Sequence, residues 1–218
     1  MTNEETINER FPMDTADHQM TVLLDHGKHR HIQFSRPGSS TYRFNLVTWP
    51  GYLAITGDCD DFVFRRLDDM FEFFREKRVN PSYWGEKAVA VSKHGGLSSF
   101  SPERYRQAVY SDFQASYPFG EPGKLKAWRD VRWDLLEYNE PSSTSEAINK
   151  ACGYTDANGN SPFDEFWDHH LDEPSYGFLW ACHAIRWGIE QYDLLVAAPQ
   201  PASNDNAPLS APAQVGAA

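Results

Sequence analysis

The chain has 218 residues, 40% of them hydrophobic and 14% aromatic, and a formal net charge of −11. This composition excludes a chain that is disordered over most of its length, because aromatic rings bury roughly 150–250 Å² each and can build a core. No apolar run approaches the length of a membrane span, and the three cysteines are widely spaced without a CxxC pair. We therefore expect a cytoplasmic protein, free of disulfides, with no membrane partner.

Residues 1–20 are polar and acidic without a clear period, which predicts a flexible acidic arm. Short alternating segments then follow from Thr21 to Phe64, separated by Gly- and Pro-containing turns such as Trp49-Pro50-Gly51. Strands of this length joined by tight turns indicate an antiparallel β-meander of three to five strands.

A helix is predicted near residues 68–78, after the meander. Asp68 or Asp69 can cap it, and Asn80-Pro81 ends it. Its apolar residues form a broad side, which we expect to cover one face of the sheet: Met70, Phe71, Phe73 and Phe74.

Residues 99–198 are predicted to be mainly helical. Start signals or apolar periods place helices after Ser101-Pro102, over Gly123–Tyr138, after Ser142–Ser145, after Ser161-Pro162, and over Tyr176–Ala198. The last is the most apolar, so we expect it at the centre of the helical part. The sequence thus predicts one α+β domain over 21–198, with sheet and helix in 21–98. The Pro- and Ala-rich segment 199–218 is predicted to be a disordered tail.

Negative charge is concentrated in residues 137–193, which contain eleven acidic and two basic side chains. Such a segment can bind a basic protein surface, although solubility alone also explains it. Its candidate binding residues are Asp164, Asp168 and Asp172, the first two sharing one face of a predicted helix. The overall negative charge argues against nucleic acid as a partner, whereas the net charge of +3 on residues 21–136 and the basic run within 65–78 favour one.

Four residues are candidates for a metal site. His29 and His31 point to the same face of a strand, His169 lies among acidic residues, and Asp58 lies in a turn between strands. A polar edge strand, a solvated acidic helix and a hydrophilic turn explain the same residues. No HExxH, Walker or dinucleotide-binding motif is present, so the sequence indicates no cofactor.

Three aromatic residues near turns, Trp49, Tyr83 and Trp84, are candidates for a binding patch. Exposed aromatic side chains in one patch mark binding sites, whereas packing against the turns would bury them.

Short motifs between His29 and Lys87 resemble an uncharacterised protein family of tailed bacteriophages and prophages. The motifs cover about a quarter of the chain: His29-Arg30-His31, Arg36-Pro37-Gly38, Thr48-Trp49-Pro50-Gly51, Gly57-Asp58, Phe62-Val63-Phe64, Met70 to Arg75, Asn80-Pro81, Tyr83-Trp84 and Glu86-Lys87. The resemblance implies a phage or prophage origin and expression in the bacterial cytoplasm. It implies no catalytic residues.

Two functional hypotheses follow from these observations. The first is a non-enzymatic phage accessory protein that binds a host or phage protein with a basic surface through the acidic residues 137–193. The second is a metal-dependent enzyme that acts on nucleic acid or nucleotides. A structural role in the virion is a third reading, and the sequence does not indicate an oligomeric state.

Overall fold

A computed structural model describes residues 2–75, 78–93 and 95–198. The elements in chain order are α1 (Asn3–Thr15), β1 (Gln19–His26), β2 (His29–Ser35), β3 (Phe44–Trp49), β4 (Tyr52–Gly57), β5 (Phe62–Arg65), α2 (Met70–Phe74), α3 (Pro81–Gly85), β6 (Ala88–Val91), β7 (Ser98–Phe100), α4 (Pro102–Ser116), α5 (Lys124–Val131), α6 (Thr144–Cys152), β8 (Asp172–Pro174) and α7 (Tyr176–Ala197). The predicted tail, 199–218, lies outside the described residues.

The predicted α+β fold with an antiparallel meander is confirmed. Strands β1 to β6 form one sheet in sequence order, and each pairs antiparallel with the next. The meander has six strands instead of the predicted three to five. The prediction fell short because both edge strands, β1 and β6, are exposed over most of their length. A strand exposed on both faces shows no hydrophobic alternation, which is the signal that predicts strands.

Helix α7 covers the buried face of the sheet. The prediction that it lies at the centre of the helical part is therefore wrong. The buried side chains of α7 belong to the same core as those of β2 to β5. Gly188 permits the close approach, since a Cβ there would lie 2.8 Å from Leu46 Cδ1 and 3.1 Å from the Phe34 ring. The helix is more apolar than its neighbours because it lies between the sheet and α1.

The predicted flexible arm contains a helix, α1, that packs on α7. Thr2 caps it in a capping box with Glu5, which satisfies backbone N–H groups at its first turn. Ile7 and Phe11 are buried, and the Phe11 ring lies 5.4 Å from that of Trp180. Only two large side chains anchor this helix, so its polar sequence shows little amphipathic pattern.

The predicted helix near 68–78 is shorter than expected, since α2 spans only Met70–Phe74, and a further short helix, α3, begins at Pro81. Asp69 caps α2 by accepting from Phe71 N, and this helix packs its aromatic side chains under the sheet. Asn80 and Pro81 start a helix as well as following one. Asn80 Oδ1 accepts a hydrogen bond from Tyr83 N, and Pro81 occupies the first turn of α3. Pro is compatible with a first helical turn because its missing N–H would be unpaired there.

Residues 101–171 form a helical insert with a core of its own. The side chains of this second core all lie between Tyr105 and Leu171, and none comes from the sheet. The chain leaves and returns through an antiparallel pair of short strands, β7 and β8, in which Ser98 lies opposite Pro174. Ser101 N also donates to Leu171 O at 2.8 Å. The insert is therefore held to the sheet at a narrow stem.

The predicted helix after Ser161-Pro162 is wrong. Turns occupy this segment, with one 3₁₀ turn at Phe166–Asp168. Phe163 and Phe166 are both buried at a spacing of three residues, which a 3₁₀ turn places on the same side. The predicted helix over Gly123–Tyr138 divides into α5 and a π-helical segment, Arg132–Glu137.

Candidate binding surface on the helical insert

Three of the predicted site residues lie together in one groove on the insert. Asp164, Asp168 and His169 line a cavity of about 520 Å³ between α4 and the segment that follows Ser161. Glu165 and Asp112 line it as well. We call this the acidic groove, defined by the four carboxylates Asp112, Asp164, Glu165 and Asp168.

His169 connects the two sides of the acidic groove. Its Nε2 lies 2.8 Å from Asp112 Oδ2, and its ring packs against Phe166 at a centroid distance of 4.9 Å. Asp112 is not predictable from the sequence, because it is 57 residues from His169 and nothing in the spacing of α4 distinguishes this aspartate from a solvated one.

Four of the eight other acidic side chains of 137–193 are neutralised by bases of the chain itself. Glu137 pairs with Arg132 at 2.9 Å, Glu140 with Arg106 at 2.5 Å, and Asp193 with Arg75 at 2.7 Å. Glu190 pairs with Arg186. Among the described residues, by contrast, no Lys or Arg forms an ion pair with the four carboxylates of the acidic groove. The acidic groove is therefore a smaller surface than the whole negatively charged segment, residues 137–193.

Asp172 does not join the acidic groove. It begins β8, and its Oδ1 accepts a hydrogen bond from Thr144 Oγ1 at 2.5 Å while its carbonyl accepts from Arg104 Nη1. These bonds tie the stem to α4 and α6. A structural role explains Asp172 better than the predicted binding role.

A second groove lies on the other side of α4. It has a volume of about 700 Å³ and runs between α4 and α5, with Phe113 and Trp128 at its floor, their ring centroids 4.9 Å apart. Tyr110 packs edge-on against Trp128 at 5.6 Å. Phe119 is fully exposed at its rim and Leu125 is 87% exposed. We call this the apolar groove.

The loop between α4 and α5 shapes the rim of the apolar groove. Gly120 and Gly123 both adopt a φ of +87°, which side chains rarely tolerate, and Gly123 begins α5 without a side-chain cap. Lys124 Nζ donates to Gln114 Oε1 at 2.8 Å and to the Tyr117 carbonyl. These bonds hold the start of α5 against the end of α4, so the groove is part of the folded structure.

The three aromatic candidates do not form one exposed patch. Trp84 is fully buried in the core of the sheet, so its predicted binding role is wrong. Trp49 stacks on Tyr52 at 5.1 Å. Tyr83 packs on Phe73 and lies under the Lys87 ammonium, 4.7 Å from the ring centre. Turn packing, the alternative interpretation, explains them.

The basic run within 65–78 is divided among separate contacts. The Arg65 guanidinium lies over the Tyr52 ring at 5.4 Å, while Arg75 forms two hydrogen bonds with Asp193. Lys77 lies outside the described residues.

The four metal candidates lie in three separate parts of the fold. His29 and His31 share β2, where His31 Nε2 lies 3.3 Å from Asn45 Oδ1. Asp58 accepts from Tyr42 N in the turn after β4, and His169 belongs to the acidic groove. Over residues 2–75, 78–93 and 95–198, no group of three or more His, Cys, Asp or Glu side chains is placed to hold a metal ion.

Comparison with protein-family models, with curated proteins and with solved structures finds no match. In the part of the chain that the structure describes, no helix combines the length and the apolar character needed to cross a membrane.

Proposed function

We propose that this protein is a non-enzymatic accessory protein that binds a host or phage protein with a basic surface through the acidic groove. The observation that carries the proposal is the convergence of four carboxylates from two segments, without a neutralising Lys or Arg among the described residues. Like charges placed together repel one another in the free protein, and a basic partner relieves that repulsion.

The strength of such a contact can be bounded. Exposed ion pairs contribute roughly 0.2–1 kcal/mol each, so four of them supply on the order of 1–4 kcal/mol. Since about 1.4 kcal/mol corresponds to a tenfold change in affinity, the groove selects and orients a partner but does not bind it tightly alone. Binding through these charges is expected to weaken with salt, because screening shortens the Debye length from about 10 Å at 0.1 M to about 3 Å at 1 M.

The phage origin remains an expectation from the resemblance. The residues that suggest a metal-dependent enzyme lie in three separate parts of the fold, with only His29 and His31 sharing a strand, so binding is the function that the geometry supports best.

The test is an affinity capture from bacterial lysate at low and at high salt, with the partner identified by mass spectrometry. The groove variant carries Asp164→Lys and Asp168→Lys. The control carries Glu4→Lys and Glu9→Lys, two exposed acids of α1 that give the same change in net charge.

We expect the wild type and the control to retain the same partner at low salt, and the groove variant to lose it. A partner that the groove variant retains equally, or that high salt does not release, would contradict the proposal.

A further inference from the structure

The apolar groove exposes more aromatic and aliphatic surface than a solvated helix pair requires. Phe119 and Leu125 extend from its rim, and Tyr110 is also exposed. None of the described segments covers it. Large exposed apolar patches bordered by polar residues are typical of interaction sites, and burying one such side chain on binding gains roughly tenfold or more in affinity.

The two grooves are opposite flanks of one helix. Tyr110 and Gln114 line the apolar groove, whereas Asp112 and Ser116 line the acidic groove. Residues two apart on an α-helix point about 200° apart, so these pairs face opposite sides of α4. The distance across the helix with its side chains is about 10 Å.

The ridge between the grooves is low. Ser111 lies on the outward strip of α4 between the two flanks, and Ala115 lies at the edge of the acidic groove; both are exposed. Their side chains are small, so one partner segment can lie over α4 and reach both grooves without meeting a bulky residue.

The charges that line the two grooves indicate which side chains a partner segment needs. The insert, residues 101–171, contains twelve acidic and seven basic side chains, and the acidic groove is lined by four carboxylates with no Lys or Arg of the described chain paired to them. Glu121 and Lys124 line the apolar groove as opposite charges, so that side carries no net charge. A segment that fills both grooves needs apolar side chains on one flank and basic side chains on the other.

We infer that the partner engages α4 with a basic amphipathic helix, whose apolar side chains enter the apolar groove and whose Lys or Arg side chains meet the acidic groove. This inference rests on the proposed function and names the chemistry of the partner. A helix fits because its apolar and basic rows lie on separate flanks, as the apolar and acidic grooves lie on separate flanks of α4.

The test uses the full chain and three fluorescein-labelled synthetic peptides of about 18 residues, a length at which helices form in water. The first has a Leu flank and a Lys flank, the second replaces Leu by Ser, and the third replaces Lys by Glu. Fluorescence anisotropy measures each dissociation constant. We expect the Leu/Lys peptide to bind at least tenfold more tightly than either of the others.

Matched variants locate the binding. Phe119→Ser with Leu125→Ser removes two exposed apolar side chains of the apolar groove, and Leu23→Ser with Val89→Ser removes two from the edges of the sheet. We expect the first variant to bind the Leu/Lys peptide at least tenfold more weakly while its affinity for the Ser/Lys peptide is unchanged. The second variant should bind both peptides as the wild type does.

The failures of the two proposals are distinguishable. Equal binding of the Leu/Lys and Ser/Lys peptides would overturn the inference and leave the acidic groove as a binding site. Equal binding of the Leu/Glu peptide would overturn both, since charge would then play no part. Equal losses in the two variants, or no binding of any peptide, would also overturn the inference.

Discussion

Arg30 and Asp69 form the most enclosed ion pair in the described part of the protein. The guanidinium donates to both carboxylate oxygens, at 2.9 and 2.8 Å, and lies 4.5 Å from the centre of the Phe71 ring. Burial raises the pKa of Asp69, but hydrogen bonds from Arg30 and from Phe71 N lower it further, so the net pKa lies below its usual value. The charged carboxylate therefore stabilises the fold and caps α2.

Asp69→Asn should lower the free energy of unfolding by about 1.5–3 kcal/mol at pH 7, because the amide keeps the helix cap but loses one charge-assisted hydrogen bond. A group whose pKa is depressed by folding contributes stability above its unfolded pKa, about 3.9 for Asp, and this is lost as pH falls through the folded value. The difference between wild type and variant should thus narrow between pH 5 and pH 3, as measured by urea denaturation. A difference that stays constant with pH would contradict this account.

For single residues, the sequence indicates which side chains are candidates for a binding site but not whether those side chains are exposed. Trp49, Tyr83 and Trp84 have the same aromatic character, yet Trp84 is buried and the other two are half-buried in turn packing. Which ring faces the core depends on α3, a single turn that begins where Asn80-Pro81 predicted an end. Asp112 was missed for a similar reason, since its partner His169 is brought close only by the tertiary fold.

Helix α1 depends on few contacts, and Phe11 supplies the largest of them. Its ring touches Trp180, His183 and Trp187 of α7. The polar helix surface adds little hydrophobic burial, so the loss of this ring should free the helix from the rest of the protein.

Phe11→Ala should reduce the free energy of unfolding by about 3–5 kcal/mol, the usual range for a buried Phe, and expose α1 to limited proteolysis. Met13→Ala is the matched control, since Met13 is 73% exposed on the same helix and should change stability by less than about 0.5 kcal/mol. If residues 3–15 were a loose arm, neither substitution would change stability, and trypsin would cut the wild type at Arg10 as readily as the variant.

Elements with one buried face were predictable, and elements without one were not. Strands β2, β3 and β5 alternate between buried and more exposed side chains, and β4 buries Leu53, Ala54 and Ile55 in succession. Strands β1 and β6 show mostly exposed residues, so their pairing depends on backbone hydrogen bonds that leave no sequence pattern. The Ser161-Pro162 start signal predicted a helix where turns and one 3₁₀ turn occur, and the burial of Phe163 and Phe166 three residues apart suits either structure.

The whole molecule has two hydrophobic cores, and this predicts two units of local stability. One core joins the sheet with α1, α2, α3 and α7, and the other lies within the insert. Few contacts cross the stem of β7 and β8. Segments with separate cores open as separate cooperative units.

Val109→Ala should therefore speed amide hydrogen exchange throughout residues 101–171 while leaving β3 and β4 unchanged. Val109 is fully buried in the second core, and its truncation is expected to cost about 1–3 kcal/mol. Ile55→Ala is the counterpart in the sheet core and should speed exchange there. Mass spectrometry of peptic fragments measures both. Equal acceleration in both regions for either variant would show that the molecule unfolds as one unit.

The stem formed by β7 and β8 affects how the protein can evolve. Ser98 and Pro174 face each other across neighbouring strands, so the chain returns about 4.8 Å from where it left, a gap that a short hairpin turn can close. The gene segment for the insert can thus be lost, lengthened or exchanged without disturbing the sheet or α7. If the insert carries the proposed binding surface, the residues that select a partner are encoded between β7 and β8 and can change independently of the sheet.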